Sequence, residues 1–298
     1  MIVSAPNRKV HAMLEARTDI ELIKWDLVTP PPRDHIDMVI TPFVTSPQDN
    51  SQINSISTQL VQAPSIGFEH LTSVLDGRPL ANAASVHETA TAELTLTHLL
   101  VMQRGIQRSV RSQDKAEWDT FFTPGLADSR VLMIGYGGVG KAIVERLLPF
   151  EVTIDRIAFH ERDDELGHVY TTDALDELLP LADIVVMIVP NNEQTHKMVD
   201  DAFLAKMKDG AILHNMGRGG AVDTEAMVRA GDRLRFSFDV VDPEPFPADS
   251  PLWLRENVFI TGHQGGYTGA LDPRMKRLFD RQIDHLLAGE TPENLISY

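Results

Sequence analysis

One glycine-rich turn constrains the fold of this chain more than any other feature. The segment RVLMIGYGGVGKAIVERL places Gly135, Gly137 and Gly140 at G-x-G-x-x-G spacing, directly after an apolar run and before a helical pattern. In this setting the first glycine permits a tight turn, the second lets the backbone approach a pyrophosphate, and the third allows close packing of helix on strand. The pattern predicts a dinucleotide site at the helix N-terminus. A glycine turn without a ligand and a methyltransferase-type site are the alternatives.

The chain continues in the same alternating way between residues 130 and 262. Short runs rich in β-branched residues predict strands at 131–134, 152–159, 184–189, 211–215, 236–240 and 258–261. Helical patterns lie between them, at 139–148, about 174–179, 202–207 and 224–230. Alternation of this kind predicts an α/β fold with a doubly wound parallel sheet of the Rossmann type.

The length of 298 residues suggests two domains. Residues 1–84 contain short apolar segments separated by prolines, which predicts a smaller flavodoxin-like α/β domain that is completed by 270–298. Residues 85–269 are the predicted dinucleotide-binding domain. It begins with a long helix in ETATAELTLTHLLVMQRGI, where Ser85 and Glu88 have the spacing of a capping box.

The composition excludes several kinds of chemistry and partner. The chain has no cysteine, which removes disulfides, thiolate zinc sites and thiol nucleophiles. Its net charge of −16 repels nucleic acid and anionic membranes over most of the surface. The N-terminus lacks a signal-peptide pattern, and no apolar run approaches the roughly 18 residues that span a membrane. We therefore expect a cytoplasmic protein with no metal site and no nucleic-acid or membrane partner.

The end of the second predicted strand bears on the choice of nicotinamide cofactor. Glu161 lies 21 residues after Gly140, about where an acid binds the adenosine ribose hydroxyls and repels the extra phosphate of NADP. Arg162 comes next and can instead pair with that phosphate. The sequence therefore predicts NAD and leaves NADP possible. A solvated surface pair is the remaining alternative.

Three polar residues follow later strands, at the sheet edge where ligands of open α/β sheets bind. Arg218 lies among glycines in HNMGRGGAVD, and its guanidinium offers a planar fork for a carboxylate, unless it is a surface residue in a flexible turn. Asp239 in FSFDVV can accept from a nicotinamide amide, or it can cap a helix or brace a loop. His263 in FITGHQGG can transfer a proton at neutral pH, because the unperturbed pKa of histidine is about 6.5.

Glu244 is the predicted partner of His263. It lies between two prolines in DPEPFP, and prolines restrict the backbone on both sides of it. A paired carboxylate raises the pKa of a histidine and fixes its tautomer. We therefore predict that the two prolines hold Glu244 toward His263, which follows 19 residues later.

Taken together, these segments resemble the D-isomer-specific 2-hydroxyacid dehydrogenase family. APSIGFEHL, TATAEL, GYGGVG, VPNNEQTHKMVD, NMGRGG, DVVDPEPFP and TGHQGG occur in the family's order over nearly the whole chain. The resemblance implies D-stereospecific hydride transfer between C4 of a nicotinamide and C2 of a small 2-keto or 2-hydroxy acid, similar to glyoxylate or hydroxypyruvate. It also implies a homodimer built on the helix at 88–105. A nucleotide-sensing co-regulator of the same fold, with little turnover, is the alternative.

The resemblance further implies a role for each site residue. Arg218, Glu244 and His263 match the family's catalytic residues: His263 protonates the carbonyl oxygen during reduction, Glu244 holds the imidazolium, and Arg218 grips the carboxylate and polarises the carbonyl. Arg218 and His263 thereby bind substrate, together with the backbone amides of Ile66 and Gly67. Asp239 orients the nicotinamide carboxamide. The predicted cofactor-binding residues are Gly135, Tyr136, Gly137, Gly138, Val139, Gly140, Glu161, Arg162, Pro190 and Asp239.

The chain departs from the family's pattern next to the histidine. Gly262 stands where proline is common in the family. Glycine restricts the backbone less than proline does, which predicts a looser loop around His263.

Overall fold

Strands and helices alternate along the described chain, which comprises residues 1–43 and 47–297 of a computed structural model. The chain divides into two units, one of Met1–His87 with Thr268–Tyr298 and the other of Glu88–Tyr267. We call them unit 1 and unit 2. The domain boundaries after residues 84 and 269 stay a prediction about separately folding domains. Within the described residues, no helix combines the length and apolarity that a membrane crossing requires.

Unit 1 is built on a parallel sheet. Its elements in chain order are β1 (Ile2–Ala5), α1 (Arg8–Leu14), β2 (Glu21–Lys24), β3 (Met38–Ile40), β4 (Leu60–Gln62), α2 (Glu69–Thr72) and β5 (Leu80–Ala81). The strands lie in the order β2-β1-β3-β4-β5, and every pair is parallel. This is the flavodoxin-like order, as predicted for the smaller domain.

Unit 2 contains the larger sheet. Its helices are α3 (Glu88–Gln103), α4 (Ile106–Asp114), α5 (Gly138–Leu147), α6 (Leu175–Leu178), α7 (Asp201–Lys206) and α8 (Thr224–Ala230). Its strands are β6 (Arg130–Ile134), β7 (Thr153–Ile157), β8 (Arg162–Asp164), β9 (Gly167–Tyr170), β10 (Ile184–Met187), β11 (Ile212–Asn215), β12 (Arg235–Phe238) and β13 (Val258–Ile260). The order is β13-β12-β11-β10-β6-β7-β9-β8, and only the β8 and β9 pair is antiparallel. The predicted Rossmann-type sheet is confirmed, and its direction of winding reverses between β6 and β10.

Both faces of this sheet are covered, which explains the continuous apolar runs in the sequence. One face contributes to the first of two core clusters, with Leu132, Ile134, Val185, Met187 and Leu213. The other face contributes to the second, with Val131, Met133, Ile184, Val186 and Ile212. Alternate residues of the same strands therefore belong to different cores, as the two-residue repeat of a strand requires.

The last helix, α9 (Leu271–Ala288), belongs to unit 1. It lies within the segment 270–298 that the sequence analysis assigned to the smaller domain. Leu278, Phe279 and Ile283 of α9 are fully buried in one core cluster with Met38 and Leu60 of the small sheet. The C-terminal segment therefore completes the hydrophobic core of the first unit.

The antiparallel hairpin of β8 and β9 is absent from the sequence-based predictions. Its strands read RDD and GHVY, and aspartate and glycine are depleted in strands. The hairpin is held by a tertiary contact, because the buried guanidinium of Arg156 in β7 donates to both carboxylate oxygens of Asp164, at 2.6 and 2.8 Å. A buried arginine in a neighbouring strand therefore overrides the weak local preference.

The predicted capping box at the start of α3 is wrong. The helix begins at Glu88, and Ser85 has a φ of 76°. An N-cap residue needs an extended backbone next to the first helical residue, and Ser85 meets neither condition.

Candidate active site

The glycine turn joins β6 to α5 and has the three properties that its spacing predicts. Gly135 has a φ of 102°, and its amide donates to the carbonyl of Ile157 at 2.9 Å. A Cβ atom on Gly140 would overlap the carbonyl oxygen of Gly135, so the helix packs closely on the turn. No described atom lies within 4 Å of a Cβ placed on Gly137, the N-cap of α5. The turn is therefore shaped to receive a pyrophosphate at the N-terminus of a ten-residue helix.

Tyr136 supports this turn from inside. Its hydroxyl accepts from Arg156 Nη1 at 3.1 Å, and its backbone carbonyl accepts from Arg162 Nη2 at 3.1 Å. The two guanidinium groups also lie 4.9 and 5.6 Å from the centroid of the tyrosine ring. The side chain of Arg162 therefore supports the glycine turn by binding the backbone of Tyr136. The sequence analysis did not anticipate this role.

Glu161 lies in a small cluster of charged residues beside the hairpin. Its side chain is 67% exposed, and Oε1 is 3.0 Å from Nε2 of His168. Nδ1 of the same imidazole is 2.9 Å from Asp163 Oδ1. The hydrogen bonds to Asp163 and then to Glu161 raise the pKa of His168 above its usual value. The proposed contacts of Glu161 and Arg162 with the cofactor stay predictions.

Arg218 follows β11 in a loop whose glycines are pressed against neighbouring backbone. A Cβ atom on Gly217 would lie 2.6 Å from the carbonyl oxygen of Val189, and one on Gly219 would overlap that of Val241. Larger residues would therefore push the loop away from the ends of β10 and β12. The loop is clamped between its neighbours, which argues against the alternative of a surface arginine in a flexible turn.

Asn215, at the end of β11, supports the same loop and was missed by the sequence analysis. Its buried side chain donates to the carbonyl of Arg218 at 2.9 Å and accepts from the amide of Gly217 at 3.0 Å. The guanidinium of Arg218 donates to the carbonyl of Gly217 at 2.8 Å. A polar side chain closing a fully buried strand is the signal that points to Asn215.

Glu244 and His263 meet at hydrogen-bonding distance, as predicted. Glu244 Oε2 lies 2.7 Å from His263 Nδ1, and Glu244 Oε1 accepts from the amide of Val241 at 3.1 Å. The hydrogen bond that Glu244 accepts from Nδ1 raises the pKa of His263, with smaller opposing effects from burial and from Arg218. Burial opposes ionisation of Glu244, but the hydrogen bond and charge of His263 outweigh it and lower the pKa of the carboxyl. The contact therefore favours the imidazolium form of His263 and the carboxylate form of Glu244.

The DPEPFP segment is anchored at both ends. Thr224 Oγ1 donates to the carbonyl of Asp242 at 3.1 Å. Trp253 Nε1 donates to the carbonyl of Pro247 at 2.8 Å, and the Trp253 ring packs edge-on against Phe246, 5.4 Å between centroids. These contacts add to the restriction by the prolines and keep Glu244 in place.

Asp239 braces the histidine loop. Its side chain is 2% exposed and accepts from the amides of Gln264 at 2.9 Å and Gly265 at 2.8 Å, and from the hydroxyl of Thr261. Its backbone carbonyl accepts from the amide of His263 at 2.7 Å. Asp239 therefore braces this loop, which was one of the roles that the sequence left open. Its contact with a nicotinamide carboxamide stays a prediction.

Arg218, Glu244 and His263 line one cavity of about 240 Å³ in unit 2. The other residues that line it are Asn191, Gly219, Gly220, Val240, Val241 and Asp242. A cation, a carboxylate and an imidazole thus share one small space, which is the set of groups that binding and protonating a 2-keto acid requires. Asn191, which lies against Gly220, is a lining residue that the sequence analysis did not assign to the substrate.

Other predicted site residues lie outside this cavity's lining. Ile66 and Gly67 are in unit 1, where their carbonyls accept from Asn82 Nδ2 at 2.9 Å and from Ser65 Oγ at 2.6 Å, respectively. Pro190 follows β10, at the point where the sheet reverses, and its carbonyl accepts from Thr195 Oγ1 at 2.5 Å. The binding roles of Ile66, Gly67 and Pro190 stay predictions, as do those of Gly138 and Val139 in the first turn of α5.

Comparison with known proteins gives consistent results. The model of the D-isomer specific 2-hydroxyacid dehydrogenase NAD binding domain matches residues 96–265, more than half of the chain. Glyoxylate reductase from Thermofilum pendens is 31% identical over 254 residues, covering 80% of this chain and 75% of that protein. Glyoxylate reductase from Thermococcus litoralis is 27% identical over 311 residues, covering 96% and 92%.

Solved structures share the fold over the whole length. The NADPH-dependent glyoxylate/hydroxypyruvate reductase from Sinorhizobium meliloti, in complex with NADP and sulfate, has a TM-score of 0.85 at 22% identity, covering 99% of this chain and 98% of that one. The motif order, the matching NAD-binding domain and the two-domain α/β fold all agree. The chain belongs to the D-isomer specific 2-hydroxyacid dehydrogenase family of NAD(P)-dependent oxidoreductases.

Proposed function

We propose that this protein reduces a small 2-keto acid, similar to glyoxylate or hydroxypyruvate, to the D-2-hydroxy acid. The observation that carries the proposal is the 2.7 Å contact of His263 with Glu244 in a cavity that Arg218 also lines. The curated relatives from Thermofilum and Thermococcus are named glyoxylate reductases, which supports the same substrate class.

The glycine turn is the part of the chain that holds the cofactor. The open space at Gly137 and the N-terminus of α5 suit the pyrophosphate of a nicotinamide dinucleotide. When bound, this cofactor supplies the hydride for reduction. The side chains around Arg218 and His263 then have to bind the acid and provide the proton.

His263 is the proton donor in this proposal. During reduction the imidazolium gives its proton from Nε2 to the carbonyl oxygen of the acid, because Nδ1 is engaged by Glu244. Glu244 stabilises the imidazolium before the transfer and holds the ring orientation afterwards. Arg218 binds the substrate carboxylate and places positive charge where negative charge develops on the carbonyl oxygen.

Exchange of Glu244 for glutamine is expected to lower the pH above which reduction fails. The carboxylate holds the pKa of His263 above its usual value, and reduction needs the protonated ring. Without the charge the pKa falls, so the imidazolium is lost at a lower pH. The measurement is kcat for 2-keto acid reduction as a function of pH.

The matched control for this change is Glu225→Gln, which alters an exposed carboxylate in the first turn of α8. The control should keep the wild-type pH profile. An unchanged profile in Glu244→Gln would refute the assigned role of the pair.

The cofactor choice rests on the charged cluster at the hairpin. Glu161 and Asp163 hold His168 between them and make this region acidic, which favours NAD over NADP. Glu161→Ala is expected to raise the ratio of kcat/KM with NADPH to that with NADH. Glu165→Ala, in the exposed turn of the same hairpin, is the matched control. An equal ratio in wild type and Glu161→Ala would contradict the ribose role of this acid.

Assays over a panel of 2-keto acids with both cofactors test the proposed activity directly. Oxidation of NADH or NADPH by glyoxylate or hydroxypyruvate is the expected result. Tight NADH binding without turnover of any acid would contradict it and would favour the nucleotide-sensing co-regulator.

We also propose a homodimer and a cytoplasmic location for this protein. Trp118 and Phe122, in the segment after α4, are 97% and 106% exposed, and such exposed aromatic residues favour a protein interface. Light scattering of the purified protein measures the mass, and fractionation of cells measures the location.

A further inference from the structure

We infer that a buried chain of hydrogen bonds from α3 positions the loop of His263, with His98, Ser237 and Thr261 as positioning residues. The chain runs through the core of unit 2 and ends on the carboxylate of Asp239. This inference rests on the proposed function, because it concerns the histidine that donates the proton. None of the three residues contributes to the cavity lining described above.

The contacts follow one another without a break. His214 Nδ1 lies 3.0 Å from the carbonyl and 3.2 Å from the hydroxyl of Ser237. The Ser237 hydroxyl lies 2.8 Å from Nδ1 of His98, and Nε2 of His98 lies 3.0 Å from the hydroxyl of Thr261. The Thr261 hydroxyl in turn contacts Oδ1 of Asp239. Residues from α3, β11, β12 and the end of β13 therefore form one polar path.

The chemistry of the partners fixes the direction of the hydrogen bonds between Ser237 and Asp239. A carboxylate only accepts, so Thr261 must donate to Asp239 and must accept from Nε2–H of His98. A neutral imidazole carries one proton, so Nδ1 of His98 accepts from Ser237. The bonds from Ser237 to Asp239 therefore all donate toward the carboxylate, and such a chain polarises its members in one direction. The Nδ1 proton of His214 faces both the carbonyl and the hydroxyl of Ser237.

Burial keeps both histidines neutral, which this arrangement requires. His98 and His214 are 0% exposed, and their rings lie 5.0 Å apart. Burial lowers the pKa of His98 to about 4 against the attraction of Asp239, and it lowers that of His214 together with the repulsion of His98. Among the described residues, Nε2 of His214 has no hydrogen-bond partner, so the path begins there.

Asp239 connects this path of hydrogen bonds to the loop of His263. The amides of His263, Gln264 and Gly265, three successive residues, all donate to it, at 2.7, 2.9 and 2.8 Å. His263 itself has a φ of 51°, in the left-handed region that few residues other than glycine adopt readily. A loop in this conformation needs support from its surroundings. Asp239 supplies it, and Thr261 with His98 keeps the carboxylate of Asp239 in place.

Thr261→Val tests the inference, because valine has nearly the shape of threonine and lacks the hydroxyl. We expect kcat for 2-keto acid reduction to fall about tenfold, as a small displacement of an acid catalyst predicts. We also expect the pH above which reduction fails to move down, because a displaced His263 loses part of its contact with Glu244. Thr261→Ser keeps the hydroxyl and should retain the wild-type values.

His98 allows a second, independent comparison. His98→Phe keeps a ring of similar size without the nitrogen atoms, and it should act in the same direction as Thr261→Val. Thr95→Val removes an equally buried hydroxyl of α3 that donates to the carbonyl of Thr91, outside the path, so it is the matched control and should keep the wild-type pH profile. Circular dichroism and thermal melts show that each variant is folded.

A titration of histidine side chains by ¹⁵N NMR measures the pKa of His263 without any turnover. His263→Gln identifies its signal. A lower pKa in Thr261→Val and in folded His98→Phe, but not in Thr261→Ser or Thr95→Val, supports the inference. An unchanged pKa of His263 in folded Thr261→Val overturns it. If the wild type reduces no 2-keto acid, the proposed function fails, and the NMR result still decides whether the path positions His263.

Discussion

Replacement of His263 by glutamine is expected to lower kcat for 2-keto acid reduction by about 10³-fold, the contribution of a well-placed general acid. Glutamine retains polarity and approximate size but does not carry a transferable proton at neutral pH. The binding of NADH, measured by fluorescence titration, should not change, because the glycine turn follows β6 whereas His263 follows β13. The loss should therefore appear in kcat.

The control for this change is His285→Gln in α9 of unit 1, which removes a histidine from the other unit. It should leave kcat near the wild-type value. A His263→Gln enzyme within tenfold of wild type would mean that another group donates the proton.

Replacement of Arg218 by leucine is expected to lower kcat/KM for glyoxylate by about 10² to 10³-fold, the cost of losing one preorganised group that stabilises developing charge. Both the carboxylate contact and the polarisation of the carbonyl are lost, so KM rises and kcat falls. Arg218→Lys retains the charge without the planar fork, so its kcat/KM should lie between those of the wild type and Arg218→Leu.

A change of substrate provides the sharper comparison for Arg218. Methyl glyoxylate has the same carbonyl and lacks the carboxylate charge. Wild type should prefer glyoxylate strongly, and Arg218→Leu should lose most of this preference. An unchanged preference would place the carboxylate site elsewhere.

The parallel sheet of unit 2 was predictable because its signals are local. Apolar runs such as IVVM in β10 report strands covered on both faces, and the spacing of Gly135, Gly137 and Gly140 reports a turn that only glycines can form. Several predicted strand ends still differed from the observed ends by one or two residues. The run at 152–159, for example, became β7 (Thr153–Ile157).

The contacts around the glycine turn and the hairpin of β8 and β9 were less predictable, because they are not local in the sequence. Arg156 looks like a charged interruption of a strand, yet it is buried and holds Asp164 and Tyr136 at the same time. Arg162 has the chemistry of a phosphate ligand, a role that stays a prediction, and its guanidinium also donates to the backbone carbonyls of Tyr136 and His160. Charge and spacing identify such residues without identifying their partners.

The sequence by itself determined the parallel α/β fold and the chemical types at the site, because periodicity, glycine spacing and residue chemistry are properties of short segments. Only the tertiary structure decided which groups meet. Glu244 reaches His263 across 19 residues, and His98 reaches Thr261 across 163. Contacts over such separations depend on how strands and helices pack against one another. For that reason a polar path through the core, ending at the loop of the proposed proton donor, was visible only in the folded chain.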